Sequence, residues 1–238
     1  MFKRLFLISI IILIILLSLV LSAYASSLYG FESIKLSENE INQIWDKLNI
    51  KNLSTNISLD DINLPIISFD VSDEEMIILG FKNNQVIIID KNKIIQTYLE
   101  FSNNGLFYVQ WKKNNILLYL VRGGIIVELT SNGQLINMIK TDDNNINNNF
   151  LWNEISKKTN IDIDNSTYIV KNDMGILNIF TSSYSQLVKI NSNGETVIIY
   201  NINNTQLTKI IILVIYAVLF IVLTISTISI KIIKFKRH

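Results

Sequence analysis

The chain has no cysteine in its 238 residues. Disulfides, thiolate nucleophiles, iron–sulfur clusters and cysteine-bound zinc are therefore excluded. Histidine occurs once, as the last residue, His238. No Ser–His or Cys–His pair and no histidine-ligated metal can form in the body of the chain. Charge is scarce as well. Asp, Glu, Lys and Arg make up 17% of residues, where a soluble domain carries about a quarter. A net charge of +1 gives no electrostatic footprint for nucleic acid. The sequence contains no Walker A motif, no G-x-G-x-x-G and no basic stretch interleaved with aromatics, so no cofactor is expected and no nucleic-acid partner.

Two long uncharged apolar runs stand out. The first is Leu5 to Ser22, preceded by Lys3 and Arg4 and followed by Ala23-Tyr24-Ala25. The second is Ile210 to Ile230, followed by Lys231, Lys234, Lys236 and Arg237. Each is long enough to cross ~30 Å of hydrocarbon as a helix. The first reads either as a transmembrane helix or as a signal peptide cleaved after Ala25; both start export. Basic residues at the inner flanks place the C-terminal tail in the cytoplasm and the middle outside it. The expected organisation is an N-terminal transmembrane helix or signal peptide (1–25), a juxtamembrane helix and linker (26–64) and an extracytoplasmic β-repeat domain (65–208). A C-terminal transmembrane helix (209–230) and a basic cytoplasmic tail (231–238) follow. The lipid bilayer is the first expected partner and the cell membrane the expected location. The abundance of Ile, Asn and Lys fits an AT-rich coding sequence and a bacterial envelope protein.

Within the exported part, Ser37-Glu38-Asn39-Glu40 reads as a capping box. Ile41, Ile44, Trp45 and Leu48 follow on one helical face. Asn49 to Asn63 reads as a polar linker. From Pro65 the pattern changes to short β-like runs split by polar turns. The first group is 65–71, 75–81, 85–91 and 94–101. The second is 106–111, 115–121, 124–130 and 134–140. The third is 166–171, 174–180, 185–190 and 196–202. The turn before each last strand recurs as Asp90-Lys91-Asn92-Lys93, Ser131-Asn132-Gly133-Gln134 and Ser192-Asn193-Gly194-Glu195. Asn-Gly at this place fits a two-residue hairpin with positive φ.

Four strands repeating at about 40 residues are the mark of propeller blades. Residues 65–202 resemble the blades of NHL-type propeller proteins, through period and turn position alone. The fold class is therefore mainly β: about three four-stranded antiparallel sheets, partly propeller-like, with a short N-terminal helix and a transmembrane helix on each side. Three blades do not easily close a ring. Either the domain is a compact three-sheet variant, or its exposed strand edges pair with another copy or a protein partner, or it is a twisted meander or sandwich.

Candidate chemistry is sparse. Asp60 with Asp61, and Asp73 with Glu74 and Glu75, are the paired carboxylates available for acid–base work; a linker and a hairpin turn are ordinary places for solvated acids. Asp162, Asp164 and Asp173 have partial calcium-loop spacing, but Thr167 stands where that loop needs glycine. Trp45, Trp111, Trp152, Tyr98, Tyr108 and Tyr119 are dispersed. Residues 141–165 form an Asn-rich insertion in which Phe150, Leu151, Trp152 and Ile155 give a short helix its apolar side. The leading functional reading is a non-enzymatic interaction or sensing module. The alternatives are a cell-wall or carbohydrate protein acting through Asp or Glu, and an accessory subunit of a membrane complex.

Overall fold

The computed structural model describes residues 33–53, 57–141 and 155–235. The first apolar run, the Asn-rich tract with Phe150, Leu151 and Trp152, and His238 lie outside the described residues. The chain opens with strand β1 (Ser33–Lys35), helix α1 (Glu38–Leu48) and the two-residue strand β2 (Lys51–Asn52). Ser37 caps α1: its hydroxyl takes the Glu40 N–H, and the Glu40 carboxylate takes the Ser37 N–H at 2.9 Å.

Three antiparallel sheets follow in sequence. Sheet 1 is β3 (Ile66–Val71), β4 (Ile77–Phe81), β5 (Gln85–Ile89) and β6 (Ile95–Glu100). Sheet 2 is β7 (Phe107–Lys112), β8 (Asn115–Leu120), β9 (Ile125–Leu129) and β10 (Leu135–Thr141). Sheet 3 is β11 (Asn160–Ile163), β12 (Ser166–Lys171), β13 (Gln186–Ile190) and β14 (Thr196–Asn201). Each is an up-and-down meander in the order of a propeller blade. Two of them gain a fifth strand from upstream: β2 pairs with β6, and β1 with β10. Helix α2 (Asn203–Phe235) closes the described chain.

The repeat extends to single hydrogen bonds. In the last hairpin of each sheet an N–H reaches back three residues: Lys93 to Asp90, Gly133 to Thr130, Gly194 to Asn191. The same three residues have positive φ, 64°, 84° and 80°. This is a three-residue loop, a type I turn closed by a left-handed residue, and not the two-residue hairpin expected from Asn-Gly. Asn132 and Asn193 occupy ordinary turn positions; only the residue after them needs positive φ.

Sheet 1 lies between the other two. Alternate residues of β4 and β5 enter different cores. Leu79, Phe81, Ile87 and Ile89 pack with Tyr168, Leu187 and Tyr200 of sheet 3. Ile78, Val86 and Ile88 pack with Phe107, Leu118 and Val127 of sheet 2, and with Trp45 of α1. Burial on both faces is why these strands are apolar without alternation. Trp111 joins the same core as Trp45, and Tyr98 joins the core shared with sheet 3. Tyr119 packs with Ile126 and Ile155, with Tyr108 beside them.

The third sheet departs most from expectation. Residues 166–171 form its second strand, with β11 as the first. Residues 174–180, expected as a strand, are a 3₁₀ helix, Gly175–Phe180. Local bonds outcompete the ladder there. The Asn178 side chain accepts the Met174 N–H at 3.1 Å, and the Thr181 hydroxyl donates to the Asn178 carbonyl at 2.8 Å. The expected linker is partly structured too: Ser58 and Asp61 cap a 3₁₀ turn, Leu59–Asp61, through a second capping box.

The strand edges are also less open than three unclosed sheets imply. The free edge of β7 faces β3, whose side chains take its N–H groups. Val109 N–H donates to Ser68 Oγ at 3.1 Å and Trp111 N–H to Asp70 Oδ2 at 2.7 Å. Ile66 makes a bridge to Tyr184 at one end of β3. Of the three fourth strands, β14 is the one that gains no fifth strand beyond it among the described residues.

Candidate functional site

The carboxylates considered for catalysis do not converge. Asp61 is spent on the Ser58 cap, accepting its N–H at 3.2 Å, and Asp60 stands beside it in the same turn. Asp73 and Glu74 are exposed in the β3–β4 turn. Glu75, in left-handed backbone at φ 59°, is bound by Lys189 and by the Tyr168 hydroxyl. Those partners hold its carboxyl below the usual range, Lys189 contributing most. Burial pulls the Lys189 ammonium down, but its bonds to Glu75 and Tyr168 outweigh that and leave it raised. Burial pushes the Tyr168 phenol up. The trio is a clamp between sheets 1 and 3 and leaves no free acid or base.

The three acids with calcium-loop spacing lie in different elements. Ile163 pairs with Ser166, so Asp164 and Asn165 form a two-residue turn, both at positive φ. Asp162 accepts the Thr167 hydroxyl at 2.6 Å. Asp173 lies beyond β12, its N–H directed at Asn203. Among the described residues no group of three acidic or histidine side chains could hold a metal.

Two further ion pairs are structural. Asp70 Oδ1 meets Lys158 Nζ at 2.7 Å, and Glu128 Oε2 meets Lys112 Nζ at 3.0 Å. Tyr200 ties the linker to β14: its hydroxyl accepts the Leu64 N–H and approaches the Ile62 and Leu64 carbonyls at 2.8 and 2.6 Å. Burial pushes this phenol far up. A recess beside Tyr119, Val121, Ile125 and Thr141 has room for no more than about one water molecule, far short of the ~300 Å³ at which ligand pockets begin.

What remains is the junction between sheet 3 and α2. Ile202 alone separates β14 from the helix, and it is buried. Asn203 Oδ1 accepts the Ser185 hydroxyl and the Asp173 N–H, so it holds both ends of the loop containing the 3₁₀ helix. Asn172 closes the base of that loop. Its amide donates to Thr181 Oγ1 and the Ser183 carbonyl, both at 2.9 Å, and its oxygen accepts the Ser185 N–H at 2.8 Å. Ile202, Gln206 and Ile210, spaced by four, are buried on one side. Past Ile210 the helix changes character. Leu213, Tyr216, Phe220 and Leu223 on one side are each at least 65% exposed, and Ile211, Ile215, Val218 and Val222 on the opposite side at least 44%. Sequence reasoning placed the helix start at 209; the domain-bound turns from Asn203 were missed because they are polar.

No family model matches the chain, and no curated protein matches it in sequence. Among solved structures, the chain is similar to BamB from Moraxella catarrhalis at 13% identity and a TM-score of 0.28, over 55% of this chain and 48% of that one. It is similar to a streptogramin B lyase at 10% identity and a TM-score of 0.29, over 63% of this chain and 44% of that one. The match therefore spans less than half the length of either protein.

Proposed function

We propose that the chain is a membrane-anchored protein whose three-sheet domain stands outside the cytoplasm and acts through protein contacts, without chemistry of its own. Helix α2 carries this reading. It runs 33 residues, and the stretch Ile210–Ile230 has no charge. At 1.5 Å per residue that stretch spans about 31 Å, the thickness of the hydrocarbon core. From Ile211 to Ile225 its apolar side chains are exposed all round, an arrangement tolerable in lipid and costly in water. Lys231 and Lys234 at its far end favour a cytoplasmic tail. The interior acids Asp70, Glu75 and Glu128 are committed to backbone groups and ion pairs, which supports binding over catalysis. The contact surface is the β14 edge, where a partner strand can add as β1 and β2 add to the other two sheets.

Protease applied to intact cells should cleave the three-sheet domain and spare an epitope on the C-terminal tail; the reverse pattern would refute the topology. A photo-crosslinker at Ile198 should trap one defined partner in membranes. Equal capture from Ile136, a comparably exposed position on β10, would refute the edge as the contact.

A further inference from the structure

The 3₁₀ helix Gly175–Phe180 holds three large apolar side chains outward: Ile176, Ile179 and Phe180 are 85%, 75% and 58% exposed. None of its residues is buried. Scattered surface apolar residues are normal; three on one six-residue turn form a patch that water disfavours. Flexibility does not account for it. Asn172, Asn178 and Asn203 pin the loop at its base, its middle and its contact with α2. The turn lies against α2 itself, and the loop that carries it is bound to Asn203, the first residue of that helix. A loop held by side-chain bonds is thus presenting its apolar face beside the first turns of the helix that forms the proposed span.

We infer that this turn is a second membrane contact, inserting Ile176, Ile179 and Phe180 into the boundary between headgroups and acyl chains beside α2. The inference rests on the reading of α2 as a membrane span. Lipid is favoured over a protein partner because the patch adjoins a helix whose own exposed surface requires the same solvent. The patch carries no charged side chain among Gly175–Phe180, so it inserts by apolar burial and needs no anionic headgroup. The contact would fix the height and rotation of sheet 3 above the membrane.

Because the chain has no cysteine, single substitutions accept a nitroxide label uniquely. Ile176→Cys, Ile179→Cys and Phe180→Cys are to be labelled in the full chain, reconstituted in phosphatidylcholine vesicles, and read by their collision rates with oxygen and with a water-soluble nickel chelate. Val218→Cys reports the span, and Ile94→Cys, 57% exposed on sheet 1, reports water. The inference expects the oxygen-to-nickel ratio at the three sites to shift from the Ile94 value toward the Val218 value. The shift should be equal in neutral and anionic vesicles. Three sites at the water value, with Val218 in lipid, overturn the inference and leave the span intact. Low access to both reagents at the three sites means a protein covers the patch, and also overturns it. Val218 at the water value overturns the span and this inference together. If one variant fails to show the cooperative melt of the unsubstituted chain, the other two decide.

Discussion

In sheet 1, the fourth strand β6 buries four of its six residues; in sheet 3, the equivalent strand β14 buries Tyr200 alone among six. Both strands come from the same four-strand unit with the same closing turn, so the unit does not explain the contrast. Neighbours do. Sheet 1 has a core on each face and its inner and outer edges occupied, the inner one by packing against β7 and the outer one by β2. Sheet 3 has a core on one face, an insertion between its second and third strands, and an outer edge to which no described residues add a strand. One repeat supplies stability, and the other is left free to carry the helix, the apolar turn and the open edge.

The contrast breaks most visibly at buried leucine. Leu79→Ala in sheet 1, fully enclosed, should cost about 2–5 kcal/mol, while Ile198→Ala on the β14 edge should cost under ~1 kcal/mol. Urea unfolding of the full chain in detergent, followed by tryptophan fluorescence, measures both; equal losses would contradict a central sheet 1. Next comes the covered edge. Asp70→Ala orphans the Trp111 N–H and should cost ~1–3 kcal/mol. Amide exchange should speed up at Trp111 and leave the strand-paired amides of β8 slow.

The shared turn sharpens the comparison further. Alanine at Gly133 or Gly194 incurs roughly 1–2 kcal/mol of left-handed strain. At Gly133 the new Cβ would also fall 2.7 Å from Leu99 Cδ2, whereas at Gly194 nothing lies within 4 Å. Gly133→Ala should therefore melt below Gly194→Ala. The smallest effect is electrostatic. Lys189 lowers the folded-state Glu75 pKa beneath its unfolded value, which lies near 4.3. The Glu75 contribution is thus complete above that value and disappears as pH falls through the lower, folded one. Glu75→Gln should lower Tm at neutral pH by the equivalent of under ~1 kcal/mol, since the pair is partly solvated. The difference from the unsubstituted chain should shrink below about pH 4.

Sheets 1 and 2 were readable in sequence because both faces of their strands are apolar and each turn is marked by Asn, Asp or Gly. The third sheet was misread where periodicity and side-chain bonding disagree. Met174 to Phe180 looks like a strand, but Asn172 and Asn178 draw its backbone into a loop, and no hydrophobicity pattern records an amide's choice of partner. Strand β11 was hidden by Asp162 and Asp164, whose spacing suggested ligands; Asp162 belongs to the strand itself and Asp164 to the tight turn after it. The way Ser68 and Asp70 cover β7 was illegible, because it joins residues 41 apart through side chain and backbone. The candidate junction was half visible: its apolar helix was plain, and its polar lock on Asn203 was not.

A flexible tether would let a domain tumble above its anchor. With one buried residue between β14 and α2, and Asn203 bolted to the loop beside it, this chain has no such slack. Helix and sheet form a lever whose fulcrum is the junction. Under the proposed anchoring, a tilt or rotation of α2 would be delivered as torque to the third sheet, and a load on that sheet would be returned to the helix.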